Sequence, residues 1–182
     1  MYGIHLARLP ASAKLFCTLY LVGIGCGAVA AFAQAATAVG LTPAAVQASL
    51  APEMPMTHIG HGQSSAEREI SLGEVSSAAK VWIRTPLLIQ TSHTHLFGQT
   101  LIAGLLGLIF LFSAVPEWLK ALIIALPFVG TLIDIGGMWL TRFVAPALAG
   151  LVIAGGTLFA VGYVLITVIS LWELWALREA RP

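Results

Sequence analysis

Four apolar runs, separated by one long and two short polar interruptions, set the frame of this chain. The runs cover about 15–36, 95–115, 119–141 and 146–172, each near or above the roughly 20 residues that cross a bilayer as a helix. Pro116-Glu-Trp-Leu-Lys120 and Arg142 to Pro146 are tight connections, so the runs they join are antiparallel neighbours. The long interruption, 37–91, opens with Thr42-Pro43 and passes through Pro52-Glu-Met-Pro-Met-Thr-His-Ile-Gly-His-Gly62, where proline and glycine keep the backbone irregular. A helix is predicted from Ser64, with Glu67 completing a capping box. Leu72, Val75, Ala79 and Trp82 then recur at helical spacing. This is the pattern of an amphipathic helix lying on the membrane surface or on the protein's own spans. The predicted fold is all-α: a polytopic membrane protein of four transmembrane helices with a long extracytoplasmic loop containing an interfacial amphipathic helix, forming a single membrane domain.

Composition agrees. Of 182 residues 58% are hydrophobic and 9% charged, too little charge to cover a soluble domain of this size. Net charge is +1 with no basic patch, which excludes a nucleic-acid partner. Cys17 and Cys26 fall nine residues apart in the first run and cannot pair; Cys26 reads as a small packing residue. No CxxCH, Walker loop, GxGxxG or HExxH occurs. The basic start, apolar run and Ala-Phe-Ala ending of the first run resemble a secretory signal, but its length favours an uncleaved first span. Arg8, Lys14, Lys120, Arg178 and Arg181 on one side against Arg68, Lys80, Arg84 and Arg142 on the other place both termini in the cytoplasm by a narrow margin. The expected location is a bacterial inner membrane. Trp118, Trp172 and Trp175 then mark the cytoplasmic interface, and Trp82 and Trp139 the outer one. Gly104, Gly107, Gly150 and Gly155 are read as helix-packing positions.

Candidate chemistry gathers where the long polar segment meets the second run, in Ser92-His-Thr-His-Leu-Phe-Gly-Gln-Thr100. Asp134, the only aspartate, returns to about the same depth, roughly 10 Å below the outer surface at 1.5 Å per residue. An acid there is a functional candidate, or a lock hydrogen-bonded to Gln99, Thr131 or a histidine. His93 and His95 lie about 200° apart on a helix, so both reach one metal only if His93 is still in the loop, with Ser92 or Thr94 as the cap. Otherwise they are residues of the interface. His95 and Gln99 share one face, directed at the third run. Met54, Met56, His58 and His61 in the long segment offer thioether and imidazole, which suit copper. Met138, one turn above Asp134, offers another thioether. A carboxylate behind a ligating imidazole is the usual support, which gives Asp134 and Gln99 that role. Haem b needs two axial ligands, here His95 with Met138 or with His58 or His61. Copper or zinc would draw on His93, His95, His58, His61, Met54 and Met56.

His93-Thr-His95-Leu-Phe97-Gly98 resembles a segment of haem- and copper-containing membrane proteins associated with nitric-oxide stress, which implies haem or copper at His93 and His95. The same segment, with Asp134-Ile-Gly-x-x-Trp139, is similar to small four-span bacterial membrane proteins; this likeness spans the second to fourth runs and implies no activity. The expected function is an accessory inner-membrane protein, redox-linked or metal-handling, with a haem or copper site on its periplasmic face. The rival is a cofactor-free structural subunit of a larger membrane complex, respiratory or photosynthetic, or a homo-oligomer in lipid. A proton-coupled transporter using Asp134 is a third class. No nucleophile–base pair points to independent catalysis.

Overall fold

The computed structural model describes residues 5–51 and 84–176, and every regular element among them is helical. Single 3₁₀ turns at Leu6–Arg8 and Pro146–Leu148 flank five α-helices. These are α1 (Ala11–Ala38), α2 (Pro43–Leu50), α3 (Thr85–Phe110), α4 (Glu117–Phe143) and α5 (Ala149–Trp175). Helices α1, α3, α4 and α5 are long and apolar enough to cross a membrane; at 1.5 Å per residue each extends about 40 Å, against a hydrocarbon core of about 30 Å. The chain is therefore an all-α, four-span membrane protein whose outward faces contact lipid. The amphipathic helix expected from Ser64, Trp82, and Met54, Met56, His58 and His61 lie outside the described residues.

One boundary departs from expectation. Helix α3 starts at Thr85, with Pro86 in its first turn, ten residues before the predicted start of the second span. Polar composition hid these nearly three turns of helix. Inside it the hydroxyls bond their own chain: Ser92 Oγ donates to Leu88 O at 2.8 Å, and Thr94 Oγ1 donates to Gln90 O. Bonded back to carbonyls four residues earlier, Ser and Thr fit a helix interior. They are not caps, and His93 is not in the loop.

The centre is α3, α4 and α5. Helices α4 and α5 meet backbone to backbone. A Cβ on Gly155 would lie 2.2 Å from Asp134 N, and one on Gly130 would lie 2.5 Å from Phe159 N. A Cβ on Gly137 would lie 2.8 Å from Val152 N, and one on Gly162 would lie 2.6 Å from Pro127 Cδ. Gly130 and Gly137 stand two turns apart, as do Gly155 and Gly162, so each helix presents a smooth seam to the other. This is how helices associate where hydrocarbon offers no hydrophobic drive. Pro127 is buried in the seam, with Thr131 Oγ1 donating to its carbonyl at 2.9 Å. Gly107 packs against Ile124 at 3.3 Å, whereas Gly104, Gly136 and Gly150 face open space. Of the four glycines expected to serve packing, Gly107 and Gly155 do so.

Helix α1 lies at the edge. Along its 28 residues only Cys17 and Leu21 are buried. Tyr163 Oη donates to Leu21 O at 3.4 Å, and Trp175 Nε1 donates to Thr18 Oγ1 at 2.9 Å. Cys26 is exposed, so it faces outward and does not pack. Helix α1 ends as Gly40, at φ 93°, turns the chain back; its N–H bonds Ala35 O, the usual use of glycine just past a helix. Thr42 Oγ1 then caps α2 by accepting from Ala45 N at 3.2 Å. Val46 and Leu50 of α2 bury against Leu88 and Ala149, and Arg142 Nη1 donates to the carbonyls of Leu50 and Ala51.

Candidate functional site

Asp134 sits on the inward face of α4, 7% exposed. It lies nine residues from the end of α4 at Phe143, about 13 Å along the axis, and only four from the helix midpoint. Gln99 of α3 is the polar side chain that faces it, while Gly155 brings the α5 backbone against the Asp134 main chain. Three helices thus converge at one polar point inside hydrocarbon. Gln99 Oε1 is itself buried with no partner. An uncompensated polar group at this depth is costly, which makes the pair a strong constraint on how α3 meets α4. Of the partners considered for Asp134, Gln99 is the one found. Thr131, one turn away, instead bonds the Pro127 carbonyl.

One more polar bridge joins the same two helices toward the Arg142 end of the bundle: Trp139 Nε1 donates to Ser92 Oγ at 2.8 Å. Ser92, His95 and Gln99 recur at spacings of three and four, so they form one stripe of α3. The expected direction of that face is right for Ser92 and Gln99, both of which meet α4. His95, between them, is exposed, and so is His93. The His93 ring stands 4.9 Å from the Phe97 ring, tilted by 52°. Because α3 is continuous through Ser92 to Thr100, the two imidazoles leave the axis about 200° apart. The condition for both to reach one ion is not met within this segment. Met138 packs beside the cluster of Val46, Leu50, Leu88 and Ala149. Among the described residues no three of His, Cys, Asp and Glu converge as metal ligands.

The opposite end of the bundle holds polar residues that the sequence did not single out. Glu173 is 5% exposed, and its two carboxylate oxygens share the N–H of Ala114 at 3.0 and 2.9 Å. It thereby ties the 111–116 connection to the last turn of α5. Lys120 is 8% exposed; its ammonium donates to Leu111 O at 3.1 Å and stands 3.4 Å from Glu117. Lys14 donates to Leu174 O at 2.7 Å and lies 5.9 Å from the Trp175 ring centre. A cation at a helix C-terminus complements its dipole. The available signal was a single acid, Glu173, inside the aromatic run Leu171-Trp-Glu-Leu-Trp175, where an unpartnered charge is disfavoured.

Comparison with family models finds that residues 84–181 match a transmembrane helical domain. The match takes in α3, α4 and α5 with their connections, and leaves α1 and α2 outside it. Comparison with curated proteins and with solved structures finds no match.

Proposed function

Starting from a chain that belongs to the transmembrane helical domain family, we propose that it is a non-catalytic membrane accessory protein, a helical subunit of a larger assembly. In this reading Asp134 and Gln99 hold α3 in register on the α4–α5 pair and take no part in chemistry. The observation that supports it best is the Asp134 environment: a buried carboxyl facing an amide from α3, with the α5 backbone pressed against its own main chain. That geometry leaves no room for a substrate on the Gly155 side. The thin attachment of α1 to the bundle leaves helix surface available to a partner at lipid depth. We place the protein in a bacterial cytoplasmic membrane with both termini inside, on the margin of five basic residues at that end (Arg8, Lys14, Lys120, Arg178 and Arg181) over four at the other (Arg68, Lys80, Arg84 and Arg142).

The test is extraction in a mild detergent followed by native electrophoresis and cross-linking. A stoichiometric membrane partner that persists with Asp134→Asn supports the subunit reading. A particle holding this chain alone, whatever the extraction conditions, defeats it.

A haem or copper role remains the second reading, and the position of His95 favours it. His95 lies on the stripe of Ser92 and Gln99, one turn from the Asp134 pair and near the outer face. The described residues alone do not build the site: His95 is one ligand, His93 points away from it, and Met138 packs toward α2. A second ligand would come from His58, His61, Met54 or Met56, or from another copy of the chain. An absorption spectrum and elemental analysis of purified protein, repeated on His95→Ala, decide it. A Soret band or stoichiometric copper that disappears in the variant establishes the cofactor role, and a colourless, metal-free wild type removes it.

A further inference from the structure

We propose that the face between α3 and α4, at the end of the bundle opposite Asp134, is a binding site for one anionic phospholipid. One acyl chain would occupy the groove, and the phosphate would meet Lys120. The groove has a volume of about 200 Å³ and is lined by Gly104, Gly107, Leu108, Leu111, Ile124 and Phe128. It exists because Gly104 faces open space and Gly107 touches only the Ile124 side chain, which leaves a furrow where two side chains are missing. At about 30 Å³ for a small group, the liquid share of a water molecule, it holds on the order of seven methylenes. From Gly104 to Leu111 it runs about 10 Å along α3, a length matched by an extended hydrocarbon segment of that size.

A furrow alone would be covered by any lipid tail. Its mouth is what selects a headgroup. Lys120, Ile124 and Phe128 stand one turn apart on the same side of α4, so the lysine closes the series that lines the groove. Lys120 lies ten residues from the α4 midpoint, about 15 Å along the axis, which is the boundary of a hydrocarbon core about 30 Å thick. Its ammonium uses one hydrogen on Leu111 O, itself a groove residue, and one on Glu117, leaving a third. Glu117 is the anion in competition, yet its side chain is 84% exposed and free to turn toward water. Trp118 beside it is 71% exposed, placed as an interfacial ring at headgroup depth. A compact ammonium with a spare donor at the end of a hydrocarbon furrow matches a phosphodiester attached to an acyl chain.

Native mass spectrometry of the full chain tests this, with dioleoylphosphatidylglycerol or dioleoylphosphatidylcholine added to delipidated protein in detergent. Wild type is expected to hold one phosphatidylglycerol per chain, in preference to phosphatidylcholine by roughly fivefold, the effect of one surface cation near an anionic headgroup. Lys120→Gln should bring that ratio to about one, with Lys120→Arg restoring it. Gly104→Phe, which fills the furrow from an exposed position, should abolish retention of both lipids, while Gly150→Phe, exposed on α5, should leave them unchanged. Glycerol phosphate added in excess should not displace the bound lipid, because the acyl chain holds it. Equal lipid retention in wild type and Gly104→Phe, or a headgroup preference unaltered by Lys120→Gln in a variant that retains wild-type helicity, overturns the proposal.

Discussion

Replacing Gly155 by alanine adds one methyl group at the tightest point of the molecule. Built on the existing backbone, that carbon lies 2.2 Å from Asp134 N, 2.6 Å from Asp134 Cα and 2.8 Å from the Gly130 carbonyl oxygen. All three are main-chain atoms, so no side chain can rotate away. Moving the first contact from 2.2 Å to an ordinary 3.4 Å requires α4 and α5 to separate locally by up to 1.2 Å. A gap of 0.5–1 Å already forfeits a quarter to a half of a contact's dispersion energy, and the seam through Gly130, Gly137 and Gly162 shares the displacement. Overpacking of this kind typically costs about 1–3 kcal/mol, and a backbone-on-backbone clash belongs at the upper end. Against it stands the gain of about 1 kcal/mol in helix propensity on changing glycine to alanine. The net expectation is a loss of about 1–2 kcal/mol.

Gly150→Ala and Gly136→Ala supply the control, because an added carbon at either position meets nothing within 4 Å. They retain the propensity gain without the clash, so they should be neutral or more stable by up to about 1 kcal/mol. Reversible unfolding in mixed micelles, followed by far-ultraviolet circular dichroism as the denaturing detergent fraction rises, measures all three. The reasoning fails if Gly155→Ala is as stable as Gly150→Ala, since α4 and α5 would then not be in backbone contact.

Asp134→Asn should stay within about 1 kcal/mol of wild type, because an amide still pairs with Gln99, whereas Asp134→Leu and Gln99→Leu should each cost about 1–3 kcal/mol by orphaning the other group. In the same unfolding assay the double variant should cost less than the two singles added, and strict additivity would show that the two side chains do not interact. Glu173→Ala should cost about 1–3 kcal/mol and accelerate hydrogen exchange at the Ala114 amide, with protection within α4 unchanged; unaltered exchange at Ala114 counts against that anchor. Arg142→Met should release α2, read as faster proteolysis between Val39 and Ala51 while α3 to α5 stay intact, and wild-type cleavage there would mean that the Leu50 and Ala51 carbonyls do not depend on the guanidinium.

The four long helices were legible because hydrocarbon-length apolar runs have few alternatives. The start of α3 was not. Thr85 to Thr94 reads as loop by composition, and only the structure reveals that Ser92 and Thr94 direct their hydroxyls to carbonyls of their own helix and that Trp139 bonds Ser92. The glycines divide in the same way. The sequence marks α4 and α5 as rich in small residues, but Gly136 and Gly137 are neighbours with opposite environments, one in open space and one against Val152. That distinction depends on the rotation of the helix about its axis, and two adjacent glycines, having no side chains, do not say which of them faces the neighbouring helix. Asp134 was legible as an acid needing a partner, and Gln99 as one candidate among several. Glu173 was missed because its donor, Ala114 N, is a backbone group 59 residues away, which no side-chain motif announces.

The two ends of the bundle therefore use polar groups for different tasks. Toward the Arg142 end, Asp134–Gln99 and Trp139–Ser92 both tie α3 to α4, and Arg142 ties α2 to the same assembly. At the other end Glu173, Lys120 and Lys14 bind backbone carbonyls or amides at the turns and helix termini. The first set fixes the register between helices; the second closes the ends. Neither set leaves a spare acid–base pair, since its strongest groups already serve structure. His93 and His95 stand apart from both. They are exposed imidazoles on α3, and the cofactor role proposed above would fall to His95 with whatever meets it from beyond α3 and α4. The unfolding assays above are blind to such a role, because an exposed ring contributes little to packing. A His95→Ala variant with wild-type stability and altered function would separate that role from the scaffold, and a variant unchanged in both would leave the scaffold as the whole account.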